Sequence, residues 1–284
     1  MIYIILTPFF LLLAILIMLH IGFIPPRISE TKTPKDFGMD YKELEIVTQK
    51  NKKLFSWFIS TKETAPLVII MHGWGSNSEL MLPIAFTFYQ AGINVLLLDS
   101  RCHGKSDGDT YSALPRFTED INHTIEYAKK SLQFNNSIFL LGHSVGAGAV
   151  LYATSKRKDI AAVISISAFG NPQWLMTRYF QSFKTPKFLI KFLLFYIQWV
   201  IGHKFNEIAP VNTIKKITIP VLIVHGSNDN TVPIEDAYAI QKHNYNGQFL
   251  KIEQADHDSV DKIETHGQLL IDFLIQKKLI PLKS

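Results

Sequence analysis

The sequence predicts a doubly wound α/β domain, a mostly parallel central sheet with helices on both faces. Three observations predict it. Short apolar runs alternate with longer helix-like ones along most of the chain. The short runs are continuously apolar and rich in Val, Ile and Leu, as strands covered on both faces must be. Their carboxyl ends open into turns bearing glycine or polar residues, the loops in which such sheets place their chemistry.

Taken in order, a polar, proline-containing linker over 25–40 precedes two strand-like runs, 44–48 and 54–59. Strand 67–71 is followed by helix 79–90, strand 93–98 by helix 117–132, and strand 137–141 by helix 147–155. Strand 162–167 leads into an insert over 169–212 that breaks the alternation. Strand 221–224, helix 234–243, strand 247–252 and helix 260–276 complete a domain over 41–284. With 47% hydrophobic residues in 284, a packed core is well supplied.

Composition excludes several classes. The single cysteine, Cys102, forbids an intrachain disulfide, and with the scattered histidines it offers no zinc-type spacing, so no metal or other cofactor is expected. A net charge of +5 without a basic stripe or a nucleic-acid motif gives no reason to expect nucleic acid as a partner. Residues 1–24 carry no charged side chain. As a helix they would reach about 36 Å, enough to cross a bilayer, so 1–24 is expected to be a transmembrane anchor with membrane lipid as its partner. A cleaved signal peptide fits less well. No Lys or Arg precedes the apolar run, and Gly22-Phe23-Ile24-Pro25-Pro26 offers no small-residue cleavage site. Arg27, Lys32 and Lys35 follow the run, which favours the domain over 41–284 on the cytoplasmic side.

The strand ends carry the candidate chemistry. Strand 137–141 runs into Gly142-His-Ser144-Val-Gly146, where the strand, tight turn and helix are the context a nucleophilic serine requires. Strand 67–71 ends in His72-Gly73-Trp74-Gly75, whose glycines allow a tight turn and leave the Trp74 N–H as an oxyanion donor. Asp229 lies in the loop after strand 221–224, and His257 in the loop after strand 247–252. Asp99 and His103, after strand 93–98, read as loop-tying residues. The order Ser144, Asp229, His257 is the serine, acid, base order known in one class of hydrolytic sheets. Four strand ends offering nucleophile, acid, base and oxyanion donor is a far rarer coincidence than any one of them.

With these residues in view, the chain resembles the α/β-hydrolase superfamily, and within it the serine aminopeptidase S33 and monoacylglycerol lipase-like serine hydrolases. The stretches that carry the resemblance are "VIIMHGWGSNS", "GINVLLLDSRCHGKSDGD", "IFLLGHSVGAG", "IPVLIVHGSNDNTVP" and "ADHDS". The resemblance implies Ser144 as nucleophile, His257 as general base and Asp229 as its orienting acid. It also implies the backbone N–H groups of Trp74 and Val145 as the oxyanion hole. Two departures stand out: Cys102 occupies a position that is usually glycine, and His257 is flanked by Asp256 and Asp258.

The insert over 169–212 sits where this fold accommodates a lid, and it is dense in aromatic residues. Lys184, Lys187, Lys191 and Gln198 recur at helical spacing and leave the remaining faces apolar. Such a helix either packs on the domain or forms a cap that lines an acyl pocket at a lipid interface. The expected activity is hydrolysis of carboxylic esters, lipid-like acyl esters or thioesters, through an acyl-enzyme, with an apolar acyl ester as substrate. A peptidase of the S33 type, or a non-catalytic binding protein on the same fold, are the alternatives.

Overall fold

The computed structural model describes residues 2–259 and 265–281. Among these residues eight strands form one sheet: β1 Lys42–Val47, β2 Lys53–Ile59, β3 Leu67–Met71, β4 Asn94–Leu98, β5 Ile138–His143, β6 Ala162–Ile166, β7 Val221–Gly226 and β8 Gln248–Ile252. Their spatial order is β1-β2-β4-β3-β5-β6-β7-β8. The pairs β1–β2 and β2–β4 are antiparallel, and β3 to β8 run parallel. A parallel sheet must be covered on both faces, and the two sides of β3 show how. Leu67, Ile69 and Met71 enter one core cluster, while Val68 and Ile70 enter the other. Each such buried side chain stabilises the fold by roughly 1.5–3 kcal/mol.

The first of these clusters is covered by α3 (Leu114–Lys130), α4 (Val145–Thr154) and α9 (Ile234–Gln241). The second is covered by α2 (Leu82–Gln90) and α10 (Gly267–Gln276). Most strands lie within a residue or two of their expected bounds. Helix α3 begins three residues early because Pro115 starts its first turn, where a missing N–H costs nothing. The helix expected over 260–276 is described only from Thr265, with α10 proper beginning at Gly267; 260–264 lie outside the described residues.

The insert folds into α5 (Pro172–Ser182), α6 (Lys187–Ile201) and two single turns, α7 (Phe205–Ile208) and α8 (Pro210–Thr213). Asn171 caps α5, its Oδ1 accepting the Gln173 N–H at 2.8 Å. The inner face of α6 buries Ile190, Leu193, Leu194, Ile197 and Ile201 against the domain, so the packed-helix reading holds for that face. Its outer face exposes Phe188, Phe195 and Trp199, at 76%, 69% and 73%.

Residues Ile2–Gly22 form α1. Ile15, Leu16, Leu19 and Phe23 pack against the domain core, and the His20 ring meets Tyr111 edge-on at 6.3 Å. The other side leaves Phe10, Leu13, Ile17, Met18 and Ile21 exposed. The side chains of residues 2–9, 11 and 12 lie outside those described. Among the described residues no helix is long and apolar enough to cross a membrane. The expected transmembrane anchor over 1–24 is therefore not supported; what stands there is a helix with one face laid on the domain.

Candidate active site

All the candidate side chains project from the carboxyl ends of parallel strands. Ser144 follows β5 directly, at φ 53° and ψ −115°, and α4 starts at the next residue. A non-glycine residue held there stores strain on the order of 1–3 kcal/mol, which the surrounding fold must offset. Its N–H donates to the Ile166 carbonyl at 2.9 Å, and its own carbonyl accepts from Gly148 N–H at 3.1 Å. The turn is so tight that its glycines admit no side chain. A Cβ on Gly142 would stand 2.3 Å from the Gly146 carbonyl oxygen, and one on Gly146 would stand 2.3 Å from that of His72.

The structure brings Ser144, His257 and Asp229 into one line. Ser144 Oγ lies 2.9 Å from His257 Nε2, and His257 Nδ1 lies 2.7 Å from Asp229 Oδ2. Ser144 and His257 are partly accessible, whereas Asp229 is buried. Asp229 Oδ1 accepts the N–H groups of Thr231 at 3.0 Å and Val232 at 2.7 Å. Burial alone would push this carboxyl up. Hydrogen bonds from His225, His257 and the Val232 N–H outweigh burial and hold it well below the ordinary carboxylate range. Being ionised, Asp229 can only accept, so His257 Nδ1 carries the proton and Nε2 is left to take one from Ser144.

The oxyanion candidates stand beside this line. Val145 is the first residue of α4, where an N–H has no intrahelical acceptor. Gly73 brings the other loop against the serine, since a Cβ there would lie 3.2 Å from Ser144 Cβ and 3.0 Å from His143 Nδ1. Trp74 follows, and Gly75 turns the chain away at φ 65°.

Asp99 and His103 tie down their loops as expected. Asp99 Oδ1 accepts from Ser78 N–H and Oγ, both at 2.7 Å, and Oδ2 accepts from Lys105 N–H at 2.9 Å. Cys102 adopts φ 71°, the left-handed conformation in which glycine is at ease, and is held by the Asp109 N–H donating to Sγ at 3.1 Å. Asp256 is turned onto its own loop, accepting from Asp258 N–H at 3.2 Å and from Ser259 Oγ.

Two buried histidines escaped the sequence reading. His225 sits at the end of β7 with Nε2 2.8 Å from the Val232 carbonyl and 3.3 Å from Asp229 Oδ2. His143, next to Ser144, places Nε2 2.9 Å from the His257 carbonyl. Their only sequence signal is adjacency, in "GHS" and "VHG", which says nothing of what a buried ring will meet.

Burial first, then the charge of His257, pushes His143 down to about 4; burial and His72 push His103 to about 3. Unfolded, both would titrate near 6.5. Between about 6.5 and those folded values the unfolded chain binds more protons, so stability falls as pH falls. At pH 5 each group costs about 2 kcal/mol relative to neutral pH. Urea unfolding at pH 7.5 and pH 5 should show that the loss is smaller by about 2 kcal/mol in His103→Gln than in the parent; equal losses in both proteins would refute the assignment.

Comparison with known proteins bears on the family and the fold. Residues 62–214, more than half of the chain, match the family described as serine aminopeptidase, S33. YqkD of Bacillus subtilis, itself uncharacterised, is 27% identical over 216 residues, 72% of this chain and 70% of that protein. Protein bem46 of Schizosaccharomyces pombe is 27% identical over 71% of this chain and 64% of its own length. An esterase from Pyrococcus furiosus superposes with a TM-score of 0.72 at 25% identity, covering 89% of this chain and 97% of that one. Est1E from Butyrivibrio proteoclasticus, with ferulic acid bound, shares the fold at a TM-score of 0.66 and 24% identity, over 83% of this chain and 99% of its own. The chain belongs to the serine aminopeptidase S33 family of α/β-hydrolases.

Proposed function

We propose that the protein is a serine ester hydrolase that cleaves carboxylic esters of apolar acyl groups through an acyl-enzyme, working at a membrane surface. The observation that carries this reading is the unbroken line from Ser144 Oγ through His257 to Asp229, at 2.9 and 2.7 Å. His257 Nε2 takes the Ser144 proton as Oγ attacks the ester carbonyl, and Asp229 steadies the imidazolium that results. The N–H groups of Trp74 and Val145 receive the developing oxyanion. The proton then passes from His257 to the leaving alcohol. Water, deprotonated by the same imidazole, releases the acid and restores Ser144.

Two features support the apolar substrate and the membrane. The insert exposes Phe188, Phe195 and Trp199 on one side of α6, with Lys184, Lys187 and Lys191 near its start. Helix α1 exposes a second apolar side, and Tyr111 lies between the two helices, its ring against His20 and its hydroxyl donating to the Val200 carbonyl at 3.0 Å. Aromatic side chains with lysines at the rim suit the boundary between acyl chains and anionic headgroups.

The experiment offers the full chain p-nitrophenyl esters from acetyl to palmitoyl, alone and in phosphatidylcholine–phosphatidylglycerol vesicles, with aminoacyl p-nitroanilides alongside. Turnover should rise about tenfold or more from acetyl to the longer acyl groups, following the added apolar contact, and the protein should float with the vesicles. Faster anilide cleavage would favour the peptidase that the family description admits. A preference for acetyl, or no flotation, would remove the apolar substrate or the membrane respectively.

A further inference from the structure

We infer that His143 is a positioning residue: it registers the loop carrying the catalytic base against the strand that carries the nucleophile. The inference rests on the serine-hydrolase reading of Ser144, His257 and Asp229.

The ring of His143 occupies the space between Gly73 and His257. It is buried at the end of β5, with its centroid 5.2 Å from that of His257 and the rings tilted by 49°. Nε2 lies 2.9 Å from the His257 backbone oxygen. A carbonyl oxygen only accepts, so Nε2 carries the hydrogen and Nδ1 presents its lone pair toward Gly73. The ring is thus fixed in one tautomer by a group that does not titrate.

The base needs this support. The side chain of His257 is held by Ser144 and Asp229, and both contacts change as the proton moves through the reaction. Its backbone lies on the loop after β8, which among the described residues is an edge strand paired with β7 alone. That loop is tied to its neighbour by Ser227 N–H to the Ile252 carbonyl and Asn228 N–H to the Ala255 carbonyl, both at 2.9 Å and both before His257. The bond from His143 reaches the backbone of His257 itself. Because His143 and Ser144 share a peptide bond, a shift of the elbow carries nucleophile and base together. The Oγ–Nε2 separation is then set by one rigid strand end rather than by two loops that drift independently. Proton transfer tolerates a misplacement of only about half an ångström.

The test compares His143→Leu, which removes the donor, with His143→Gln, whose amide nitrogen can give the same bond. Each full-length variant is assayed on a water-soluble short-chain p-nitrophenyl ester and with a fluorophosphonate probe, with thermal unfolding measured on the same samples. His143→Leu should lower kcat about 10- to 100-fold and slow labelling of Ser144 in parallel, while KM changes less than about threefold. His143→Gln should recover kcat to within about fivefold of the parent. Should His143→Leu fail to fold, His143→Asn takes its place, its shorter amide being unable to span the gap. Full activity in the donor-free variant overturns the inference, as does an equal loss in both folded variants. A parent protein that neither labels nor hydrolyses esters would instead overturn the hydrolase reading on which it rests.

Discussion

Ser144→Ala is expected to abolish fluorophosphonate labelling and to lower kcat toward esters by roughly 10,000-fold or more. Ser144 is the hydroxyl placed 2.9 Å from the basic nitrogen of His257, and alanine leaves that nitrogen with nothing to activate. What remains is the modest advantage of substrate binding and of any oxyanion donors beside it. The conformation of the elbow makes a second readout available. Alanine keeps a Cβ at φ 53° and leaves the strain in place, whereas Ser144→Gly should be equally inactive but more stable by about 1 kcal/mol. Retained labelling in either variant would displace Ser144 from its role.

The second large effect concerns stability. Arg101→Met is expected to cost about 3–5 kcal/mol and to lower Tm by about 10 °C. Arg101 is almost wholly buried, with Nε donating to Asp120 Oδ1 at 2.8 Å and its backbone N–H to Oδ2 at 2.9 Å. Its Nη2 donates to Glu119 at 2.5 Å and to the Arg116 carbonyl at 3.2 Å. Burial pushes the Asp120 carboxyl up against the opposing pull of this guanidinium. Methionine removes that pull and leaves Asp120, fully inaccessible, with no cation of its own. The double variant Arg101→Met, Asp120→Leu removes the stranded charge as well, so it should be more stable than the single one. A Tm within about 2 °C of the parent for the single variant would show that the cluster contributes nothing.

The reach of the sequence differs between these features. Strands such as β3 are legible because burial on both faces demands an uninterrupted apolar run, a signal held within a few residues. Ser144, Asp229 and His257 are legible because the fold confines chemistry to strand ends, leaving few places to look. His143 and His225 are not. Their partners are a carbonyl on the loop after β8 and a carboxylate held by its own turn, and only the packed sheet decides which atoms a buried ring meets. Arg101 is a similar case, since its partners lie on α3 and on the loop ending in Asp109. For α1 the apolar composition was plain, but composition does not say that Leu16 and Leu19 face a domain rather than lipid.

The late place of β8 in the chain, at the edge of the sheet, bears on when the proposed activity can first arise. During synthesis the His72–Gly75 turn and Ser144 emerge first and Asp229 later, while His257 emerges after β8, the last described strand along the chain. Until β8 pairs with β7 the proposed nucleophile and acid have no proposed base between them. On the proposed reading the nascent chain stays hydrolytically silent until β8 docks and carries His257 to Ser144.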